Sequence, residues 1–177
     1  YQIQGSGSTS PLAGQSVTTQ GVVTKITNAG YFIQDATGDG NAATSDGIYV
    51  FTSTAPSGVS VGDKVQLTAT VKEFNAGTTS NSVTTAHTVT ELTSPTSVSV
   101  LSTGNSITPT VITLPLASDA EFERLEGMLV TINSPLTVSQ NYFLGRYGQL
   151  TLSANGRLVK PTNVLRPGSA AQAMAAS

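Results

Sequence analysis

The sequence predicts an all-β protein: a five-stranded barrel, then an extended connector, one short helix and a second, incomplete β unit. Three observations carry this. β-branched residues dominate, and apolar positions alternate with period two, as half-buried strands require. The 17 Gly and 8 Pro fall mostly between the alternating runs. Only 10% of the 177 residues are charged. Ser and Thr make up about a quarter of the chain, the share that charged residues hold in a typical soluble domain.

Residues 15–26 (QSVTTQGVVTKI) form the first predicted strand, with Gly21 inside it marking a bulge or a tight bend at a barrel corner. A turn at Asn28-Ala29-Gly30 leads to a short second strand, 31–34, and the polar loop 35–47 to a third, 48–53. Residues 63–74 (DKVQLTATVKEF) give the clearest alternation, with Val65, Leu67, Ala69 and Val71 on one face. Residues 81–92 are read as the fifth strand. Five strands of this pattern, the first long and interrupted by Gly, suggest a closed barrel of OB-fold type. Residues 1–94 therefore form the first predicted domain, and 95–117, opening at Ser94-Pro95, a Ser/Thr-rich connector.

Residues 118–177 begin with Ser118-Asp119-Ala120-Glu121, a capping box in which Ser118 accepts from the Glu121 N–H and Glu121 reaches back to Ser118. This predicts a two-turn helix ending at Gly127, with Glu123 and Glu126 on its solvated face. Strands are expected at 128–132 and 136–140. Asn155-Gly156 between 149–153 and 157–160 is a strong hairpin signal. The tail SAAQAMAAS reads as a helix start.

Composition excludes several classes. The chain has no Cys, hence no disulfide framework, thiolate zinc site or Cys nucleophile. A content of 38% hydrophobic residues with net charge −2 is not that of a disordered chain. No apolar run approaches the roughly 20 residues of a membrane-spanning helix. A hydroxyl-rich, charge-poor surface fits a secreted, extracellular β protein, whose signal peptide is absent from the chain. Charge is uneven: residues 131–177 hold Arg146, Arg157, Lys160 and Arg166 and no acid. Such asymmetry points to a nucleic-acid face or to a contact between complementary copies.

Three sets of residues are candidates for chemistry. Asp35, Asp39, Asn41 and Asp46 supply oxygens that could wrap a calcium ion, although their spacing is not that of an EF-hand. The alternative is that they are turn residues serving their own backbone. Tyr31 and Tyr49, with Phe32, Phe51 and Phe74 on the same strands, could stack bases beside Lys72. Arg146, Tyr147, Arg157 and Lys160 form the more basic set. Catalysis is not expected. His87 has no evident partner, and no phosphate loop, nucleophile elbow or metal-binding helix motif occurs.

Several motifs run in order: Ile3-Gln4-Gly5, Ser10-Pro11-Leu12-x-Gly14, Gly21-Val22-Val23-Thr24, Gly30-Tyr31-Phe32-Ile33-Gln34-Asp35, Asp46-Gly47-Ile48-Tyr49-Val50, Val61-Gly62-Asp63-x-Val65 and Val71-x-Glu73-Phe74. They continue through Leu125-Glu126-Gly127-Met128-Leu129-Val130, Gly145-Arg146-Tyr147-Gly148-Gln149-Leu150 and Pro161-Thr162-Asn163. The series resembles the non-catalytic N-terminal region of secreted bacterial endonucleases of the ExeM/NucH type, with its YhcR-like OB-fold and β extension. The resemblance implies a nuclease domain downstream, none of whose catalytic residues is matched here. Two functions are thus expected. The first is a non-catalytic extracellular module that helps a nuclease-related protein engage DNA or a surface. The second is a structural subunit that self-assembles into an oligomer or filament by strand addition, starting from an extended N-terminal segment, and by head-to-tail contacts.

Overall fold

The computed structural model describes residues 1–118 and 120–175, with the Tyr147 side chain outside that description. No helix among them is long and apolar enough to cross a membrane. The chain divides into two compact units: unit 1 comprises residues 1–111 and 116–131, unit 2 residues 112–115 and 132–177.

Unit 1 is built on five strands, β1 (Ser16–Thr27), β2 (Gly30–Gln34), β3 (Gly47–Phe51), β4 (Lys64–Phe74) and β5 (Val89–Ser102). Their order is β1-β2-β3-β5-β4, and β1 also pairs with β4, so the sheet closes on itself. All pairings are antiparallel except β3 with β5. β1 pairs with β4 over Ser16 to Val22 and with β2 over Val22 to Thr27. Gly21 lies at that handover, where an added Cβ would sit 3.0 Å from the Ile33 Cβ. The predicted corner is there, and the register shift follows it, between Val23 and Lys25. Inward residues of every strand form one core: Val23, Tyr31, Ile33, Ile48, Val50, Val65, Leu67, Ala69, Val71 and Leu92.

The fifth strand differs from expectation. Residues Ser82–Ala86 form a helical turn, α1, because Asn81 caps it, its side chain accepting from the Val83 and Thr84 N–H groups. β5 starts only at Val89 and continues through Pro95 to Ser102. Proline is tolerated where a ladder is irregular. The β4–β5 register slips between Thr68 and Thr70, opposite this stretch, and Ser94 and Ser97 have positive φ.

The N-terminal segment is not extended. It turns at its start, with the Gly5 N–H donating to the Tyr1 carbonyl, and Ile3 and Leu12 pack against the core. Buried Gln4 donates to the Gly47 carbonyl at 2.8 Å, and the Ser10 N–H to Glu73 Oε1 at 2.8 Å. These residues close one end of their own barrel and are not a free strand.

β6 (Thr110–Ile112) and β7 (Val130–Ile132) pair as a short two-stranded sheet. Between them α2 spans only Ala120–Glu123. The capping box is displaced: Glu121 Oε1 accepts from Ala117, one residue before the expected Ser118, and Asp119 lies outside the described residues.

Unit 2 carries β8 (Thr137–Gln140), α3 (Leu144–Tyr147), β9 (Thr151–Ser153), a 3-10 turn (Pro161–Asn163) and α4 (Ser169–Ala175). The turn at Asn155-Gly156 forms, with both residues at positive φ. The predicted partner 157–160 is not a strand, and β9 pairs with β8 instead. Ser139 and Ser153 hydroxyls bond each other at 2.5 Å, while Ser139 accepts from Leu158 N–H and Ser153 donates to the Gly156 carbonyl. Side-chain hydroxyls, rather than a third strand, fold this segment back.

Candidate functional site

The loop between β2 and β3 is the first candidate, and its oxygens serve its own backbone. Asp35 accepts from Thr37 N–H at 2.9 Å, Asp39 from Asn41 N–H at 2.9 Å, and Asn41 from Ala43 N–H at 3.1 Å. Thr44 also donates its hydroxyl to Asp39. These are Asx-type turns, the alternative the sequence left open. Asp46 sits apart, one carboxyl oxygen buried without a hydrogen-bond partner, and burial raises its pKa, with Asp39 and Asp35 adding repulsion. Among the described residues no three acid or histidine side chains gather closely enough to hold a metal ion. Of the expected calcium set Asp35, Asp39, Asn41 and Asp46, the first three are thus engaged as turn residues and Asp46 is held apart.

The outer face of the closed sheet is the second candidate. Tyr31, expected at the surface, is 2% exposed and belongs to the core, its hydroxyl without a partner and its pKa raised by burial. Alternation along β2 puts Phe32 outside instead. Across all five strands the register aligns Lys25, Phe32, Tyr49, Glu91 and Lys72 in one row. The Phe32 and Tyr49 rings lie 4.8 Å apart, and the Tyr49 hydroxyl meets Thr27 Oγ1 at 3.0 Å. Lys72 is engaged by Glu91 at 3.5 Å and lies over the Phe74 ring at 5.5 Å. Burial raises the Glu91 pKa and the lysine opposes that shift. One cation of the row, Lys25, is therefore exposed with no ion pair among the described residues.

A cleft at the barrel end is the third, and sequence reasoning missed it. It is a cavity of about 380 Å³ lined by Val83, His87, Thr88, Val89, Phe122, Glu123 and Glu126. Helix α2 stops at Glu123, so Glu126 leaves the predicted solvated face and turns inward. It accepts from the Thr90 N–H at 2.8 Å and from Gln4 at 3.3 Å. Burial pushes its carboxyl up to about 7, with Glu123 and Glu73 adding repulsion. The Glu123 carboxyl is raised too, by burial and then by Glu73, while His87 opposes. The backbone around this segment fits tightly onto the barrel. Ser45 donates to the Glu126 carbonyl, Leu129 N–H to Gln34, and a Cβ on Gly47 would lie 2.4 Å from the Gly127 carbonyl carbon. A signal for the inward glutamate was present: Gly127, at positive φ, ends the helical period beside it.

Unit 2 is the fourth. Among its described residues only Ile112, Ser153 and Ala171 are buried, whereas Val138, Tyr142, Phe143, Leu144, Leu150, Leu152, Leu158, Val159 and Val164 are exposed. Tyr142 and Phe143 pack edge to face at 4.9 Å. Arg157 and Lys160 are exposed, Arg146 stands in α3, and the sequence of unit 2 contains no Asp or Glu. The predicted basic set is thus spread over one unit, with the Tyr147 side chain outside the described residues.

No family model, curated protein or solved structure matches the chain.

Proposed function

We propose that this chain is a non-catalytic structural subunit that assembles with copies of itself outside the cell, the acidic unit of one copy receiving the basic unit of the next. One observation carries the reading: unit 2 exposes nearly all its large apolar side chains, with Arg157 and Lys160 exposed beside them and no acidic residue in its own sequence. A two-stranded sheet with no third strand is at best marginally stable in water, and contiguous exposed apolar surface marks an interaction site. All ten acids lie in unit 1, so the matching charge is on the same chain. A heterologous contact of this kind leaves one free surface at each end and extends into a filament unless rotation closes a ring. The packed N-terminal segment argues for head-to-tail contacts over strand addition from that end. Secretion is supported by the hydroxyl-rich, charge-poor composition alone. Light scattering of the full chain over a dilution series tests the reading. The mass should exceed that of a monomer, rise with concentration and fall with added salt; a monomer under every condition would refute it.

A second reading, DNA binding by a nuclease-related module, is favoured by the Lys25–Phe32–Tyr49 row and the basic residues of unit 2. The strand order and the single parallel pair support an OB-type barrel, whose β2–β3 face is a common nucleic-acid surface. The motif series resembling the ExeM/NucH-type region supports a nuclease domain beyond this chain. Anisotropy with a single-stranded oligonucleotide at low salt should show weak, salt-sensitive binding. Tyr49→Ala, and neutralisation of Arg146, Arg157 and Lys160, should each weaken it several-fold. No change in anisotropy would exclude this reading.

A further inference from the structure

We infer that the cleft formed by Val83, Phe122, Glu123 and Glu126 in unit 1 is the docking site for the segment Arg157-Leu158-Val159-Lys160 of a second copy. The inference rests on the self-assembly reading and assigns it both contact surfaces.

The cleft combines an apolar floor with negative walls. Val83 is 68% exposed and Phe122 50%, both among the more exposed large apolar side chains of unit 1. The acids Glu123 and Glu126 line it, and Glu73 lies near enough to repel both. His87 is the one basic side chain in the lining. Three carboxylates crowded against apolar surface form an environment that an incoming cation improves twice, by neutralising repulsion and by replacing water over the apolar floor.

Residues 157–160 supply the complement. Two cations bracket two aliphatic side chains, all four residues are exposed, and none belongs to a helix or strand. Leu158 is 64% exposed. The backbone is held out by the Ser139 hydroxyl, which accepts the Leu158 N–H at 2.8 Å. Arg146 and Arg166 stand singly along unit 2, so this is where its sequence pairs cations around apolar groups. An extended four-residue stretch spans roughly 10 Å between its end residues and turns alternate side chains to the same side, so Leu158 and Lys160 face the cleft together while Arg157 flanks it. Arginine suits a carboxylate rim, since its planar fork binds such groups in bidentate fashion.

Charge exchange in the full chain tests the pairing. Arg157→Glu with Lys160→Glu should raise the apparent dissociation constant of assembly roughly tenfold or more, as should Glu123→Lys, and the three changes in one chain should recover assembly. These positions are at or near the surface, and circular dichroism checks that each variant keeps its fold. Because the chain has no cysteine, a second measurement stands independently of charge. Val83→Cys mixed with Leu158→Cys under oxidation should give a covalent dimer at higher yield than either variant alone. If the wild type assembles but the reversals leave assembly unchanged, or the mixed disulfide forms no better than in the single variants, this docking is wrong while self-assembly stands. A wild type that is monomeric throughout overturns both.

Discussion

Unit 1 and unit 2 are cut from one chain, and apolar residues of the kind that unit 1 turns inward are left outside in unit 2. In unit 1 every strand turns its alternate residues inward, and ten of them form a single closed core. In unit 2 the strands are three and four residues long, the sheet has two members, and only Ile112, Ser153 and Ala171 are buried among the described residues. The difference is one of closure. A ring of five strands satisfies its own edges and encloses its apolar faces, whereas a lone pair leaves both edges and one face to be covered by something else. Charge follows the same division: all ten acids lie with the closed unit, and no acid with the open one.

The largest expected effect separates the two regions directly. Leu67→Ala, at a fully buried core position, should cost about 2–5 kcal/mol in chemical denaturation. Leu158→Ala, on the open unit, should stay within about 0.5 kcal/mol in the dissociated protein. Equal losses would break the contrast. A smaller effect is expected at the fit between β3 and the segment after α2. Gly47→Ala drives a methyl group into the Gly127 backbone and should cost about 1–3 kcal/mol, read by the same denaturation. The smallest concerns pH. The Glu126 carboxyl is raised from 4.5 to about 7 in the folded chain. Its contribution to stability is therefore fully present below about pH 4.5 and is lost as pH rises through about 7. Glu91, Glu123 and Asp46 shift in the same direction. Thermal melts should show stability declining across that interval, and Glu126→Gln should decline less; a parallel decline would remove Glu126 as a cause.

Much of the closed unit was legible because alternation and packing agree there. Val65, Leu67, Ala69 and Val71 read as one face and are one face, and Gly21 marks the corner where β1 changes partner. The misreadings arose where a local polar side chain outweighs the period. Asn81 caps a turn whose Val and Thr residues look like strand. Pro95 looks like a stop, yet sits opposite a slip in the β4–β5 register and is carried within the strand. Tyr31 and Phe32 differ by one residue, and a one-residue shift exchanges core for surface; the hydroxyl favoured Tyr31 outside, and the register put Phe32 there. The acidic cleft as an assembly was not legible, since Gly127 hints at the turn of Glu126 but nothing in the pattern brings residues 83–89 to residues 122–126. Unit 2 was legible only in its turn, because Asn155-Gly156 fixes a reversal without saying which strand will pair.

Hydrogen exchange on the full chain at two protein concentrations tests most directly whether a second copy covers the open unit. Protection of amides in β4 and the core strands of unit 1 should be independent of concentration. Protection in β8, β9 and residues 157–160 should rise as the protein is concentrated. The same protection in unit 2 at high and low concentration would contradict the account, because the open unit would then be complete without another copy.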